Sequence, residues 1–206
     1  MSIVKLNNRG VRSATTFGSI SGLGEMRFIK KQTASSSATI SFVDGTSDVV
    51  LDNTYKEYLF TFNNIHPSND GKNFQFQGST DTGSSYGVTM TSTAFEAFHN
   101  EGGSDTTLSY RTGADIAQGT GYPNLTQESS NDADHGVGGY LHLFNPSSTT
   151  FVKHWICRLT HTMNINYAGD FYNAGYFNTT SAIDAIQFKF DANNIDAGTI
   201  QLIGIT

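Results

Sequence analysis

Residues 186–205, IQFKFDANNIDAGTIQLIGI, decide the fold class of this chain. In IQFKF the apolar residues Ile186, Phe188 and Phe190 alternate with polar ones, and TIQLIGI resumes the alternation after the turn-rich DANNIDAG. A period of two places the apolar side chains of a β-strand on one face, so both runs are predicted strands. We interpret them as a hairpin with a long loop that closes the domain.

The same alternation recurs along the chain and predicts roughly eight to ten strands in all. It places strands over residues 38–43, 55–63 and 74–77, near 88–90 and 108–111, and over 140–144 and 151–163. In the last run Phe151, Trp155, Cys157, Leu159 and Met163 share one face. Residues 92–99, STAFEAFH, fit either a helical turn or a strand. With 21 Gly and 24 Phe and Tyr among 206 residues, the chain is predicted to be all-β, a jelly-roll-like antiparallel β-sandwich.

Positive charge is concentrated at the N-terminus. Six of the 12 Lys and Arg residues lie within the first 31 positions beside a single acid, Glu25, although the whole chain carries a net charge of −6. This segment can bury little apolar surface by itself, so its ordering needs a partner. We predict a mostly extended docking arm over residues 1–34 and a single sandwich domain over residues 35–206. The predicted docking residues are Lys5, Arg9, Arg12, Arg27, Lys30 and Lys31. A floppy terminus or a plain edge strand is the alternative.

Residues 168–178, AGDFYNAGYFN, are interpreted as an aromatic loop. It concentrates Phe171, Tyr172, Tyr176 and Phe177 beside Asn and Asp. Aromatic rings with neighbouring amides and carboxylates can stack on sugars and bond their hydroxyl groups. Tyr and Phe are equally typical of the cores of protein interfaces. The sequence therefore leaves two hypotheses for these four residues, subunit packing, which we favour, and a glycan site.

Motifs of common catalytic sites are absent from the sequence. It contains no Gly-x-Ser-x-Gly, no phosphate-binding Gly-rich loop and no His-Glu-x-x-His. Cys157, the only cysteine, lies in an apolar run that favours a buried, unreactive thiol. His154 alternates away from Trp155 whereas His161 shares its face, so at most one of these two histidines is predicted in the core. We predict a protein that is not an enzyme and that needs no cofactor and no metal.

Residues 100–138 are rich in turn formers and predict long loops, which in compact domains are functional or lie at interfaces. Within them residues 131–135, Asn-Asp-Ala-Asp-His, have the carboxylate spacing of calcium loops but lack the central Gly and distal Glu, so calcium stays an alternative. No apolar run reaches the roughly 18 residues of a membrane helix, and we expect no membrane partner. The acidic body does not favour nucleic acid.

Both ends of the chain resemble known proteins. The opening SIVKLNNRGVRSATTFGSISGLGEMRFIKKQTASSSATISFVDG, continuing through TYKEYLFTFNNIHP, resembles uncharacterised virion proteins of marine tailed phages, especially those of cyanobacteria. The ending IDAIQFKFDANNIDAGTIQLIGI is similar to a C-terminal motif of small phage structural proteins, with Leu-Ile-Gly-Ile where that motif often has Leu-Tyr-Gly-Ile. The resemblance implies a structural part of the virion without enzymatic activity. It assigns no catalytic or binding residues.

These observations predict a non-enzymatic phage structural protein, made in the host cytoplasm and located in the virion. We expect it on the head surface, as a decoration or vertex protein, or on a neck or tail appendage, bound to other virion proteins. By fold-level analogy with phage adhesins and decoration modules we expect a homo-oligomer, with a trimer favoured. One alternative is a receptor-binding tail-fibre protein that recognises host surface glycan. A glycan hydrolase or lyase is a third hypothesis.

Overall fold

The computed structural model describes residues 26–206, which contain eleven β-strands and no helix. The strands are β1 (Met26–Thr33), β2 (Ile40–Val43), β3 (Glu57–Pro67), β4 (Phe74–Ser79), β5 (Met90–Asn100), β6 (Thr106–Tyr110), β7 (Val137–Phe144), β8 (Lys153–Thr162), β9 (Tyr167–Phe177), β10 (Ala185–Phe190) and β11 (Ile195–Ile205). Accordingly, this part of the chain offers no helix long and apolar enough to cross a membrane.

The strands form two antiparallel sheets. The large sheet has eight strands in the order β1-β11-β3-β7-β8-β9-β5-β6, and the small sheet has three in the order β2-β10-β4. The chain crosses between the sheets at every connection from β1 to β5 and again on both sides of β10, whereas β5 to β9 all lie in the large sheet. The predicted all-β antiparallel β-sandwich is therefore confirmed.

The predicted C-terminal hairpin is wrong. β10 pairs with β2 and β4 in the small sheet, whereas β11 pairs with β1 and β3 in the large sheet. The turn-rich residues 191–194 thus carry the chain across the sandwich instead of reversing it within one sheet. Alternation predicted both strands correctly, but it carries no information about their partners.

An aromatic core joins the two sheets. Phe188 of β10 lies at its centre, with ring centroids 5.2 Å from Phe60, 5.1 Å from Phe62 and 5.9 Å from Phe74. All four rings are at most 3% exposed. Burying a side chain of this size stabilises the fold by roughly 1.5–3 kcal/mol, and paired rings add about 0.5–1.5 kcal/mol. The alternating runs IQFKF and YLFTF therefore form the centre of the sandwich.

Most of the predicted strands are confirmed, and residues 92–99 belong to β5, so the strand alternative is correct. In β8 the side chains of Trp155, Cys157 and Leu159 are buried as predicted, and burial raises the pKa of the Cys157 thiol well above its usual value. Phe151 does not share this face. It precedes the first residue of β8 and is 69% exposed, because the turn after β7 still occupies this part of the chain.

The small sheet covers the inner face of the large sheet only in part, and residues 111–136, here called the cover segment, contact the remainder. Leu125 donates its N–H to the carbonyl of Phe74 at 2.7 Å, and Thr126 Oγ1 accepts the N–H of Phe74 at 2.9 Å. Leu125 and Thr126 are fully buried. Part of these predicted loops therefore belongs to the packed interior, whereas residues 131–134 are exposed.

The body of the protein includes residues that were predicted to belong to the arm. Met26–Thr33 form β1, which pairs with β11 from Met26 opposite Ile205 to Thr33 opposite Thr199. The sandwich therefore begins by Met26 and not at residue 35, because these residues bond to the edge of the large sheet. The edge-strand alternative holds for this part of the predicted arm. Residues 1–25 lie outside the described part of the chain.

Candidate functional site

The aromatic segment after residue 167 is strand β9, not a loop. Its alternation splits the four predicted site residues between two faces of the large sheet. Phe171 and Phe177 point inward and are fully buried, so their prediction as contact residues is wrong. Tyr172 and Tyr176 point outward and are partly exposed. Only these two of the four are therefore available to a partner or ligand.

Tyr172 belongs to a row of large side chains across the outer face of the large sheet. Strand register places Tyr140 beside Arg158, Arg158 beside Tyr172, Tyr172 beside Phe95, and Phe95 beside Tyr110. These five residues, called the ridge below, come from five adjacent strands. Of these five residues only Tyr172 was predicted, because the other four are distant from it in the chain.

The contacts within the ridge are close. The rings of Phe95 and Tyr172 stack with centroids 4.7 Å apart and planes 5° apart. On the β8 side, the guanidinium carbon of Arg158 lies 4.7 Å from the Tyr172 ring centroid, a cation–π contact. Both faces of the Tyr172 ring are consequently covered by neighbours. A sugar cannot stack on this ring without displacing one of them.

Asp170 holds Arg158 in this position. The guanidinium donates two hydrogen bonds to the Asp170 carboxylate, from Nε at 3.0 Å and from Nη2 at 2.7 Å. These bonds raise the pKa of Arg158 and lower the pKa of Asp170. A bidentate pair of this kind fixes geometry as well as charge. The ridge is therefore pre-formed, and its one cation is neutralised within the chain.

A hollow of about 400 Å³ lies beside the ridge on the same face. The hollow forms where the side chains are small, since Thr93 and Ala174 are neighbours on β5 and β9 in the row of the strand register next to the ridge. Larger side chains surround it, namely Phe144, His154, Ile156 and Tyr176. Ile156 is 48% exposed, and the Tyr176 ring packs against His154 with centroids 5.8 Å apart. We call this feature the outer hollow.

Apolar exposure continues toward both edges of the outer face. Leu108 of the edge strand β6 is 72% exposed, and on the opposite edge Met26 and Phe28 of β1 are 60% and 64% exposed. Between them, His142 Nε2 lies 2.9 Å from Glu57 Oε2. The outer face thus combines exposed apolar side chains with polar groups that already contact each other.

The predicted docking residues divide into two groups. Arg27, Lys30 and Lys31 lie on β1, where Lys31 stands beside Gln201 on the outer face of the large sheet. Lys5, Arg9 and Arg12 lie outside the described residues. The positive charge of the described group is therefore presented along one edge of the sandwich.

A polar cleft of about 890 Å³ lies at the far end of β8 from the outer hollow. His66 and His135 line it, and Asp132 lies between them, with its carbonyl 3.1 Å from His66 Nε2 and its carboxylate 3.7 Å from His135 Nδ1. Within residues 26–206 no three His, Cys, Asp or Glu side chains are placed to hold a metal ion. The acids of residues 131–135 face a histidine instead of converging on one another.

Glu96 and His161 form a buried polar pair under the cover segment, with Glu96 Oε1 3.7 Å from His161 Nε2. Burial raises the pKa of Glu96 against the opposing effect of Arg111, whose Nε donates to Glu96 Oε2 at 2.9 Å. Burial also lowers the pKa of His161 to about 4. His161, and not His154, is the core histidine, as the alternation predicted.

The chain matches no protein-family model, no curated protein and no solved structure. The resemblance to phage virion proteins therefore stays a prediction from the residues quoted above. The physical features that bear on function are the outer face of the large sheet, the basic edge strand and the polar cleft.

Proposed function

We propose that this protein is a non-enzymatic structural component of a tailed-phage particle, attached through its basic N-terminal segment. The observation that carries the proposal is the position of β1. This strand continues the basic segment into the body at an exposed edge of the large sheet, with Met26, Phe28 and Lys31 accessible. An exposed edge with apolar and basic side chains is suited to docking on an acidic protein surface.

The resemblance of both chain ends to phage structural proteins supports the same proposal. In this view the protein is made in the host cytoplasm and assembled onto the head surface, the neck or the tail. Self-association is part of the proposal; fold-level analogy favours three copies, whereas the outer face of the large sheet favours a pair.

Particle incorporation tests the docking role. The informative truncation removes residues 2–25, since removal of residues 1–31 would also delete most of β1 and its bonds to β11. The sharper variant replaces Lys5, Arg9 and Arg12 by Gln and keeps the chain length. Both are expected to lower the copies per purified particle at least tenfold, measured by quantitative mass spectrometry after complementation of a phage lacking the gene.

A matched control replaces three bases of the body, Lys56, Lys72 and Lys189, by Gln and so removes the same charge elsewhere. It is expected to incorporate normally. Wild-type occupancy of particles by the truncated protein would refute docking through the arm. Equal losses for the arm and body variants would show that total charge matters and that the arm does not.

A receptor-binding protein that recognises host glycan is the second candidate, favoured by one observation. Tyr176 and His154 border the outer hollow, which is large enough for a sugar ring and offers an aromatic wall with polar atoms. Glycan-array binding that is lost in Tyr176→Ala and kept in Tyr172→Ala would support this candidate, because both faces of Tyr172 are covered. The absence of glycan binding by the wild type would refute this candidate function.

A further inference from the structure

We propose that the outer face of the large sheet binds the same face of a second copy across a two-fold axis. The inference rests on the self-association included in the proposed function and names its surface. The occupant is a second copy of this chain, and four properties of the face support that choice: its exposed apolar side chains, its internal charge pairing, its size and its shape.

Exposed apolar side chains are the first property. Phe95, Leu108, Tyr110, Tyr140 and Ile156 are all between 41% and 72% exposed and lie on adjacent strands of one face. Single exposed apolar residues are ordinary on protein surfaces, but a contiguous group of this kind marks an interaction site. Tyr, Phe and Ile on a sheet are also rigid, so little side-chain entropy is lost when they are covered.

Charge favours a copy of the same face over a charged partner. Arg158 is neutralised by Asp170 at 2.7 Å, and Glu57 is 2.9 Å from His142. A strongly acidic or basic partner would find few unpaired charges of the opposite sign on this face. A second identical face brings the same Arg158–Asp170 pair, so the central row of the face buries no uncompensated charge.

The size of the face suits a stable pair. Eight strands spaced at about 4.8 Å span about 34 Å, and eight residues of a strand at about 3.3 Å span about 26 Å, as in β1 and β7. The product, about 900 Å², is the footprint of the outer face. Each partner in a standard protein interface buries about 800 Å². Face-to-face packing of the two large sheets would therefore bury an area typical of specific complexes.

The shape of the outer face indicates the symmetry of the pair. The ridge and the outer hollow lie side by side, because Ala174 and Thr93 occupy the row next to Tyr172 and Phe95. A two-fold axis between them places the ridge of each copy over the hollow of the other. The same contact is made twice, which is the property of an isologous interface. A trimer would instead require two different surfaces on each copy.

The test measures the mass of the isolated protein by sedimentation equilibrium over a range of concentrations. The wild type is expected to form a dimer of two 22.3 kDa chains. Thr93→Arg places a charged side chain in the outer hollow at an exposed position, and it is expected to weaken dimerisation about 100-fold or more. The matched control Thr46→Arg lies in the turn after β2, away from this face, and is expected to dimerise as the wild type does.

Thermal unfolding of both variants shows whether the fold is retained. A further variant, Phe95→Ser, removes part of the ridge and is a second disruption of the same contact. A monomeric or trimeric wild type, or a dimer that Thr93→Arg leaves unchanged, would overturn the proposal. If only the protein without residues 2–25 dimerises, the N-terminal segment covers the face in the full chain, and the proposal is overturned for the full chain. These results do not depend on particle incorporation, which separately tests the docking role.

Discussion

Two glycines of β9 make room for large side chains of β8. Gly169 is opposite His161 and Gly175 is opposite Trp155 in the strand register. A Cβ on Gly175 would lie 2.6 Å from the carbonyl oxygen of Thr91 and 2.8 Å from Trp155 Cζ2. Because one of these atoms belongs to the backbone, a side-chain rotation cannot relieve the clash. Glycine at this position is a packing requirement of the inner face of the large sheet.

Gly175→Ala is therefore expected to destabilise the protein by about 2 kcal/mol, the usual cost of overpacking a core, and to lower the Tm by roughly 4–8 °C. Chemical denaturation and a thermal scan measure both quantities. Gly113→Ala is the matched control, since nothing lies within 4 Å of its added Cβ. The control is expected to change stability by less than about 0.5 kcal/mol. Equal effects of the two substitutions would contradict this account of Gly175.

His161 makes stability depend on pH. Its ring is buried, Nε2 lies 2.7 Å from the Gln127 carbonyl, and burial lowers its pKa from 6.5 to about 4. Between these values the unfolded chain binds a proton that the folded chain does not. The stability from this neutral histidine is therefore complete above pH 6.5 and is lost as the pH falls toward 4.

His161→Gln removes this titration and keeps a side-chain N–H able to donate to Gln127. The free energy of unfolding of the wild type, relative to the variant, is expected to fall by about 2–3 kcal/mol between about pH 7 and about pH 4.5. Denaturant titrations of both proteins at the two pH values measure it, and the titration of groups distant from His161 cancels in the difference. A difference that does not change with pH would exclude His161 as the cause.

At the level of elements, the strands with one clean apolar face were predictable. Phe60 and Phe62 in β3 and Phe188 in β10 point inward, and the alternation of their neighbours shows it without any tertiary information. β9 was missed because both of its faces carry aromatic rings and because its two glycines resemble loop residues. Its true period appears only when Phe171 and Phe177 are assigned to one face and the two tyrosines to the other.

Pairing of strands could not be predicted in the same way. A local pattern determines whether a run of residues is extended, whereas the partner of a strand depends on contacts far apart in sequence. β11 bonds to β3 and to β1, both from the opposite end of the chain. For the same reason the ridge could not be predicted from the sequence, since Phe95 and Arg158 are brought beside Tyr172 only by strand register.

At the scale of the whole molecule, the proposed contacts differ in their physical origin. Docking of the N-terminal segment relies on the attraction between its bases and an acidic surface. Pairing through the outer face relies on the burial of apolar side chains whose neighbouring charges are already paired. Lys31 lies at the edge where the two surfaces meet. The two kinds of contact are therefore expected to respond differently to solution conditions.

The dependence on salt concentration is expected to distinguish the docking contact from the dimer contact. Raising the ionic strength from about 0.1 M to about 1 M shortens the Debye length from about 10 Å to about 3 Å and screens exposed charges. Binding of the protein to particles that lack it is expected to weaken at least tenfold over this range, while the dimer keeps its dissociation constant within about threefold. Co-sedimentation with particles measures the first quantity, and sedimentation equilibrium of the free protein measures the second. Loss of the dimer at high salt would mean that charge, and not apolar burial, holds the outer faces together.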